Sequence, residues 1–260
     1  MKCSDVIAKL EELSPKSYAA DWDNPGLLVG RKDKNVSKVY IALDATDAAI
    51  AKTIEYDCDM LITHHPMIFR PIKSVCEDDY VGRRILRLAR HDISYYAMHT
   101  NFDVMGMADA AADNLDLKNR SVLDVTYEDD ISKEGFGRVG NLPRQMTLAE
   151  CAEYVKKAFD LERVKVYGDL EALVYKAAIS PGGGNSIIGA AVKAKADVFI
   201  AGDIDYNPGI DAVAQGVAII DAGHFGTEKL FMPYVKDYIL RELPTLGVAT
   251  HEGAKPCHYI

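Results

Sequence analysis

Cysteine is scarce in this chain, and its placement carries no pattern. The five residues, Cys3, Cys58, Cys76, Cys151 and Cys257, are odd in number, widely scattered and never arranged as CxxC. That excludes a disulfide-stapled scaffold and a thiolate metal finger, and leaves the expectation of free, buried thiols in a reducing cytoplasm. Long apolar runs are missing too. The longest are about six residues, against roughly 20 needed to cross a bilayer, so no membrane association is expected. Positive charge falls short of negative: 30 Lys and Arg against 39 Asp and Glu give −9. This disfavours a nucleic-acid partner, since phosphate binding calls for a basic face. Tryptophan occurs once.

What is present is a globular composition, 48% apolar and 27% charged over 260 residues. That is enough for one large domain or two modest ones with real cores. The first residues, MKCSDVIAKLEEL, read as an amphipathic helix capped at Ser4 rather than as a leader peptide.

Strand-like and helix-like segments then alternate. Val39 to Leu43 reads as a buried strand, and a helix from Asp47 to Tyr56 follows with Thr46 as its cap. Met60 to Thr63 is the next strand. Residues 79 to 91 place Tyr80, Ile85, Leu88 and Ala89 at helical spacing. A strand over 93–98 and a helix over 105–115 complete the pattern. A middle segment, 121–168, offers short strands around Val122 and Phe136. A helix opens there at Thr147, with a capping box to Glu150 and an apolar face of Leu148, Cys151, Val155 and Phe159. The alternation predicts an α/β protein with largely parallel or mixed sheets.

A weak internal repeat is visible. VYIALDATDAAIAKTIEYDCDMLITHH followed by ISYYAMHTNFD is matched by VYKAAISPGGGNSIIGAAVKAKADVFIAGD followed by VAIIDAGHFGTE. In each half a strand is entered at an aspartate (Asp59, Asp197), and a later strand ends near a histidine (His99, His224). The expected architecture is two similar α/β domains, 1–126 and 127–260, whose mixed sheets face each other across a metal site. Ligands of open α/β sheets bind beyond the carboxyl ends of the strands. The dense polar chemistry of this chain lies at such ends: THH, HTNFD, AGD and AGHFGTE.

His64 and His65 follow one apolar strand directly, which delivers two imidazoles to one point. Asp103 lies just beyond another strand. His224 and Glu228 share an i, i+4 spacing, which brings both heads to one helix face. Imidazole with carboxylate and no thiolate suits zinc, iron or manganese. These five residues are the expected metal ligands. Two carboxylates able to bridge point to two divalent ions per chain, as in hydrolytic sites with metals about 3.5–4 Å apart. His99 and Asp203 are expected to orient the nucleophile. His91, His251 and His258 read as surface or packing residues.

Two further stretches carry weaker signals. Ser180–Ser186, SPGGGNS, is either a phosphate cradle before a helix or a tight turn that lets backbone approach the site. Residues 21–30, DWDNPGLLVG, hold the one tryptophan, and form either a turn feeding a strand at Leu27 or a loop covering the site.

Taken in order, DWDNPGLLVG, ITHHPMIF, HTNFD, AGDIDYN and DAGHFGTE resemble the type 2 homologues of GTP cyclohydrolase I, also called NGG-interacting-factor-three-like dinuclear metal proteins. The resemblance runs from about Ser4 to the C-terminus and implies two α/β domains with a metal pair between them, in a ring-shaped hexamer. Its ligands fall on His64, His65, Asp103, His224 and Glu228. Asn207, after the tyrosine of DIDYNP, and Pro25 depart from the family's usual residues. The expected function is that of a metal-dependent hydrolase acting on a nucleotide-like small molecule. The alternative is a non-catalytic metal-binding or regulatory scaffold.

Overall fold

The computed structural model describes residues 1–251 and 257. The surface or packing role expected for His258 falls outside them. In chain order, α1 (Cys3–Leu13) is followed by β1 (Gly26–Val29), β2 (Lys38–Ala42), α2 (Asp47–Glu55), β3 (Met60–Thr63), α3 (Tyr80–Arg90), β4 (Ser94–Ala97) and the short turn α4 (Thr100–Phe102). A π-helical turn over Asp103–Met107 leads into α5 (Ala108–Asn114), β5 (Lys118–Glu128), β6 (Lys133–Thr147) and α6 (Leu148–Ala158). Then come β7 (Lys165–Tyr167), β8 (Leu173–Gly183), α7 (Ile188–Lys193), β9 (Val198–Gly202), α8 (Tyr206–Ala214), β10 (Ala218–Asp221) and α9 (His224–Glu228). The chain closes with α10 (Phe231–Glu242) and β11 (Gly247–Thr250).

These elements form two compact units. The first is Met1–Phe102 with residues from Phe231 onward; the second is Asp103–Leu230. The division differs from a cut between 126 and 127. After α9 the chain returns to the first sheet, where β11 pairs in parallel with β2 from Gly247 opposite Lys38 to Thr250 opposite Ile41.

The first unit holds a five-stranded mixed sheet in the order β1-β4-β3-β2-β11, with only β1 antiparallel to its neighbour. Its central strands are buried along nearly their whole length, as expected of a sheet covered on both faces. Tyr40, Leu61 and Tyr95 pack with Ile50 of α2 and Leu88 of α3 on one face. Tyr96, of opposite parity, reaches α1 through Glu11 (3.4 Å), and the Tyr238 hydroxyl of α10 donates to the Lys9 carbonyl of α1 (2.8 Å). Helix α3 departs from its expected face. Leu88 is buried, but Tyr80 and Ala89 are exposed, and the Arg84 guanidinium lies 5.2 Å from the Tyr80 ring centroid.

The second unit is a six-stranded mixed sheet, β5-β6-β8-β9-β10-β7. Alternation sorts its core. Ala177, Ile179, Val198, Ile200 and Ile220 pack with Leu115, Leu148 and Val155 on one side. Ala178, Phe199, Ala201 and Ile219 pack with Ile188 and Ala212 on the other. Helix α6 starts as expected: the Thr147 hydroxyl accepts from the Glu150 N–H (3.2 Å) and the Glu150 carboxylate accepts from the Thr147 N–H (2.9 Å). At α1 the expectation fails. The helix starts at Cys3, so Ser4 lies inside its first turn, and Asp5 accepts from the Lys2 N–H instead (2.8 Å).

The repeat is real at the level of single hydrogen bonds. Asp59 Oδ2 accepts from the N–H groups of Ser37 and Lys38 (2.7 and 3.2 Å); Asp197 Oδ2 accepts from those of Tyr175 and Lys176 (both 2.8 Å). The same aspartates pair with Lys38 and Lys176 through their own N–H groups (2.9 and 2.8 Å). The residue two before each, Asp57 and Lys195, adopts positive φ to end the preceding helix (52° and 54°).

Candidate metal centre

In the first unit the carboxyl ends of β3 and β4 carry three imidazoles. After Thr63 the chain turns sharply, and the N–H groups of His64 and His65 both donate to the Leu43 carbonyl (3.2 and 3.0 Å). The Thr63 and Tyr95 hydroxyls fix the His65 carbonyl from the other side (2.8 and 3.0 Å). Each ring is then oriented through Nδ1. His64 Nδ1 donates to the Met98 carbonyl (2.8 Å), His65 Nδ1 to Asp44 (2.8 Å) and His99 Nδ1 to Asp23 (2.7 Å). All three partners are oxygens that accept, so each ring, when neutral, keeps its proton on Nδ1 and offers Nε2 as the ligating atom. This is the arrangement that orients metal-ligating histidines. Ring centroids lie 4.8 Å apart for His64 and His65, 5.3 Å for His64 and His99, and 5.6 Å for His65 and His99. One nitrogen from each falls within 4.8 Å of the others, close enough to share an ion.

Asp23 is the anchor beneath His99. Burial alone would raise its pKa, but hydrogen bonds from His99, from Thr100 and from the Asn24 N–H outweigh burial and hold it near about 2.

In the second unit the donors come from the turn after β9 and from α9. Helix α9 begins at His224, so the i, i+4 reading holds, and His224 Nε2 lies 3.0 Å from Glu228 Oε2. Its Nδ1 lies 2.8 Å from Asp203 Oδ2, and Asp203 sits just past β9 in the left-handed region (φ 53°). The hydrogen bond to Glu228 is the largest influence on the His224 pKa. Burial opposes it, and the charges of Glu228 and Asp203 add to it, raising the imidazole to about 9. Glu228 itself is buried at 3% exposure. A divalent cation can take the place of a proton between such a histidine and carboxylate.

Asp103 opens the π-helical turn, half-buried. Single π turns inside helices are frequent at functional sites, because they re-aim a side chain. Arg138 of β6 fixes this one. Its buried guanidinium is bidentate to Asp109 (2.9 and 2.8 Å) and reaches the Val104 carbonyl (3.4 Å). The helix expected over 105–115 therefore starts earlier, at Thr100, and contains this distortion.

Comparison with known proteins gives the family. The family model Duf34/NIF3 (NGG1p interacting factor 3) matches residues 1–255. The chain belongs to the NIF3 family. A protein of Clostridium perfringens named GTP cyclohydrolase 1 type 2 homolog is 34% identical over 230 residues, covering 88% of this chain and 87% of its own. Among solved structures, a Bacillus cereus protein related to NIF3 superposes with a TM-score of 0.94 at 25% identity, covering 100% of this chain and 99% of its own. Reduced HcgD from Methanocaldococcus jannaschii gives 0.84 at 30% identity, covering 97% and 98%.

In this NIF3 member the glycine stretch brings backbone close to the candidate site, as the tight-turn reading expects. Pro181–Gly183 lie within β8. The Gly182 N–H donates to the Thr227 hydroxyl (3.0 Å) and the Gly184 N–H to the Gly202 carbonyl (2.8 Å). Gly182 makes room: at φ 77°, a Cβ on it would come 2.2 Å from Glu228 Oε1. Of the thiols, Cys3, Cys58 and Cys151 are buried as expected, whereas Cys76 and Cys257 are exposed. Burial raises Cys58 to about 11 and Cys151 to about 12. Among the described residues, no helix is long and apolar enough to cross a membrane.

Sequence reading missed Asp23, Asp44 and Arg138. Asp23 and Asp44 each lay in a stretch already marked, DWDNPG and the LDATD end of β2, but each orients a histidine far along the chain.

Proposed function

We propose that this chain is a divalent-metal-dependent hydrolase acting on a nucleotide-like small molecule. The residues that would hold two such ions are His64, His65, Asp103, His224 and Glu228. The observation that carries the reading is the pair of adjacent imidazoles, His64 and His65, each held at Nδ1 by an oxygen so that Nε2 is the ligating atom of the neutral ring. The donor set fits zinc, iron or manganese: neutral imidazole and carboxylate oxygen, without thiolate.

Divalent metal bound by these residues would supply a water activated near neutral pH. The chain supplies the rest. Asp44 and the Met98 carbonyl hold His65 and His64 in the ligating tautomer. Asp203 does the same for His224 once Glu228 and Nε2 turn to a cation. His99, backed by Asp23, is placed to accept a proton from the attacking water and orient it. The relatives' name, GTP cyclohydrolase 1 type 2 homolog, makes hydrolytic opening of a purine ring the first reaction to test. A ring-shaped hexamer, implied by the family resemblance, and a cytoplasmic location, suggested by five free thiols, belong to the same proposal. Light scattering tests the hexamer.

The functional test is turnover of a nucleotide panel by metal-loaded, untagged protein. Glu228→Gln should lower turnover at least a hundredfold. Full metal occupancy with no turnover of any nucleotide would instead leave a metal-binding scaffold.

A further inference from the structure

We propose that Trp22 and Phe69, closed on one side by His99, form a stacking platform that receives the planar heteroaromatic ring of the substrate. The inference rests on the proposed function and adds the group that recognises the base.

Trp22 is the only tryptophan of the chain and is 62% exposed; Phe69 is 45% exposed. Neither contributes to the core, although burying such a ring is among the largest apolar gains a fold can make. Their exposure is not looseness. The Ala20 N–H donates to the Thr100 hydroxyl (3.0 Å), and the Asp23 N–H to the Ala20 carbonyl (2.9 Å). The Asp23 carboxylate is held by His99, Thr100 and the Asn24 N–H. The Asn24 side-chain amide donates to the Ile68 carbonyl (2.6 Å), which ties the tryptophan loop to the residue beside Phe69. A rigid backbone therefore displays both rings.

Ring geometry completes the case. Trp22 and Phe69 have centroids 5.9 Å apart at 63°, Trp22 and His99 6.1 Å at 74°, and Phe69 and His99 6.2 Å at 80°. All three meet edge to face, and no pair is stacked in parallel. The corner they form adjoins the imidazole trio through His99, 5.6 Å from His65. A purine lying on an exposed aromatic ring here is held by π stacking, which tolerates any base but favours the larger ones. The same aspartate that holds the tryptophan loop, Asp23, also seats His99, so substrate recognition and water orientation share one frame.

Trp22 being unique, its emission reports on this site alone. Metal-loaded protein is titrated with guanosine, cytidine and ribose 5-phosphate, and metal content is measured on the same samples. The expected result is saturable quenching by guanosine, weaker binding of cytidine and no response to ribose 5-phosphate. Phe69→Ala should weaken guanosine binding roughly tenfold to a hundredfold with ion content unchanged, while Phe69→Tyr keeps it. Trp22→Ala, followed by calorimetry, should show a similar loss and Trp22→Phe a smaller one. Emission indifferent to nucleosides while the ions are retained overturns the platform and leaves the metal reading standing. Emission that shifts only on diluting the protein also overturns it, since a second copy then covers the rings. Protein that binds no ions fails the underlying reading, and the platform with it.

Discussion

At the scale of single residues, the candidate centre depends on how closely backbone and carboxylate can approach. Gly182 decides this in the second unit. Its φ of 77° is strained for any side chain, and a Cβ would sit 2.2 Å from Glu228 Oε1. Gly182→Ala should push Glu228 off His224 and lower metal affinity at least tenfold. It should also cost about 1–3 kcal/mol of stability from overpacking and backbone strain. Metal titration by calorimetry and urea unfolding check the two parts separately; unchanged affinity would mean that the Glu228 carboxylate is not a ligand. The candidate ligands themselves are legible in sequence. His64-His65 after an apolar strand and His224 four residues before Glu228 need only strand and helix periodicity. Their supports are not. Asp23 meets His99 across 76 residues and Asp44 meets His65 across 21, and nothing in local spacing signals either contact.

At the scale of elements, the duplicated βαβ unit was visible because each copy repeats a local need. An aspartate at the start of the second strand satisfies the first N–H groups of the first strand. In the earlier copy, burial alone would raise the Asp59 pKa, but hydrogen bonds from Ser37 and the Lys38 N–H, with the Lys34 charge, lower it below the usual carboxylate value. A lowered folded pKa contributes stability that is present above the unfolded value, about 4, and is lost as pH falls through the folded one. Asp59→Asn should therefore cost about 1–2 kcal/mol near neutrality. The gap to the parent protein should close as the pH drops below about 4. Denaturant midpoints at several pH values read this directly, and a constant gap down to low pH would contradict it. Some element boundaries were illegible for reasons of the same kind. The π turn at Asp103 is held by Arg138 from β6, and the exposed Tyr80 ring meets the Arg84 guanidinium rather than the core. Periodicity within a segment reports neither contact.

At the scale of the whole molecule, sequence order misleads about domains. The repeat suggests a cut near 126, yet β11 belongs beside β2 and α10 buries Phe231, Val235 and Ile239. Removing everything after Leu230 should leave the first unit without its edge strand and one helical cover. Its cooperative unfolding transition should disappear, while the second unit, contiguous from Asp103 to Leu230, retains one. Near-UV circular dichroism through a urea titration separates the two transitions. An intact first transition would contradict the division. The chain passes between units at two points, beside Asp103 and two residues after Glu228. The candidate carboxylates thus stand at the two crossings, where sequence alone could mark them as strand-end chemistry but not as boundary residues.

The measurement that bears most directly on the central claim is elemental analysis of untagged protein after exhaustive dialysis. The account predicts about two divalent ions per chain in the parent protein and a clear loss of occupancy in His64→Ala and Glu228→Gln, with both variants still folded. Parent protein that retains only background metal, or variants that keep its full complement, would contradict it.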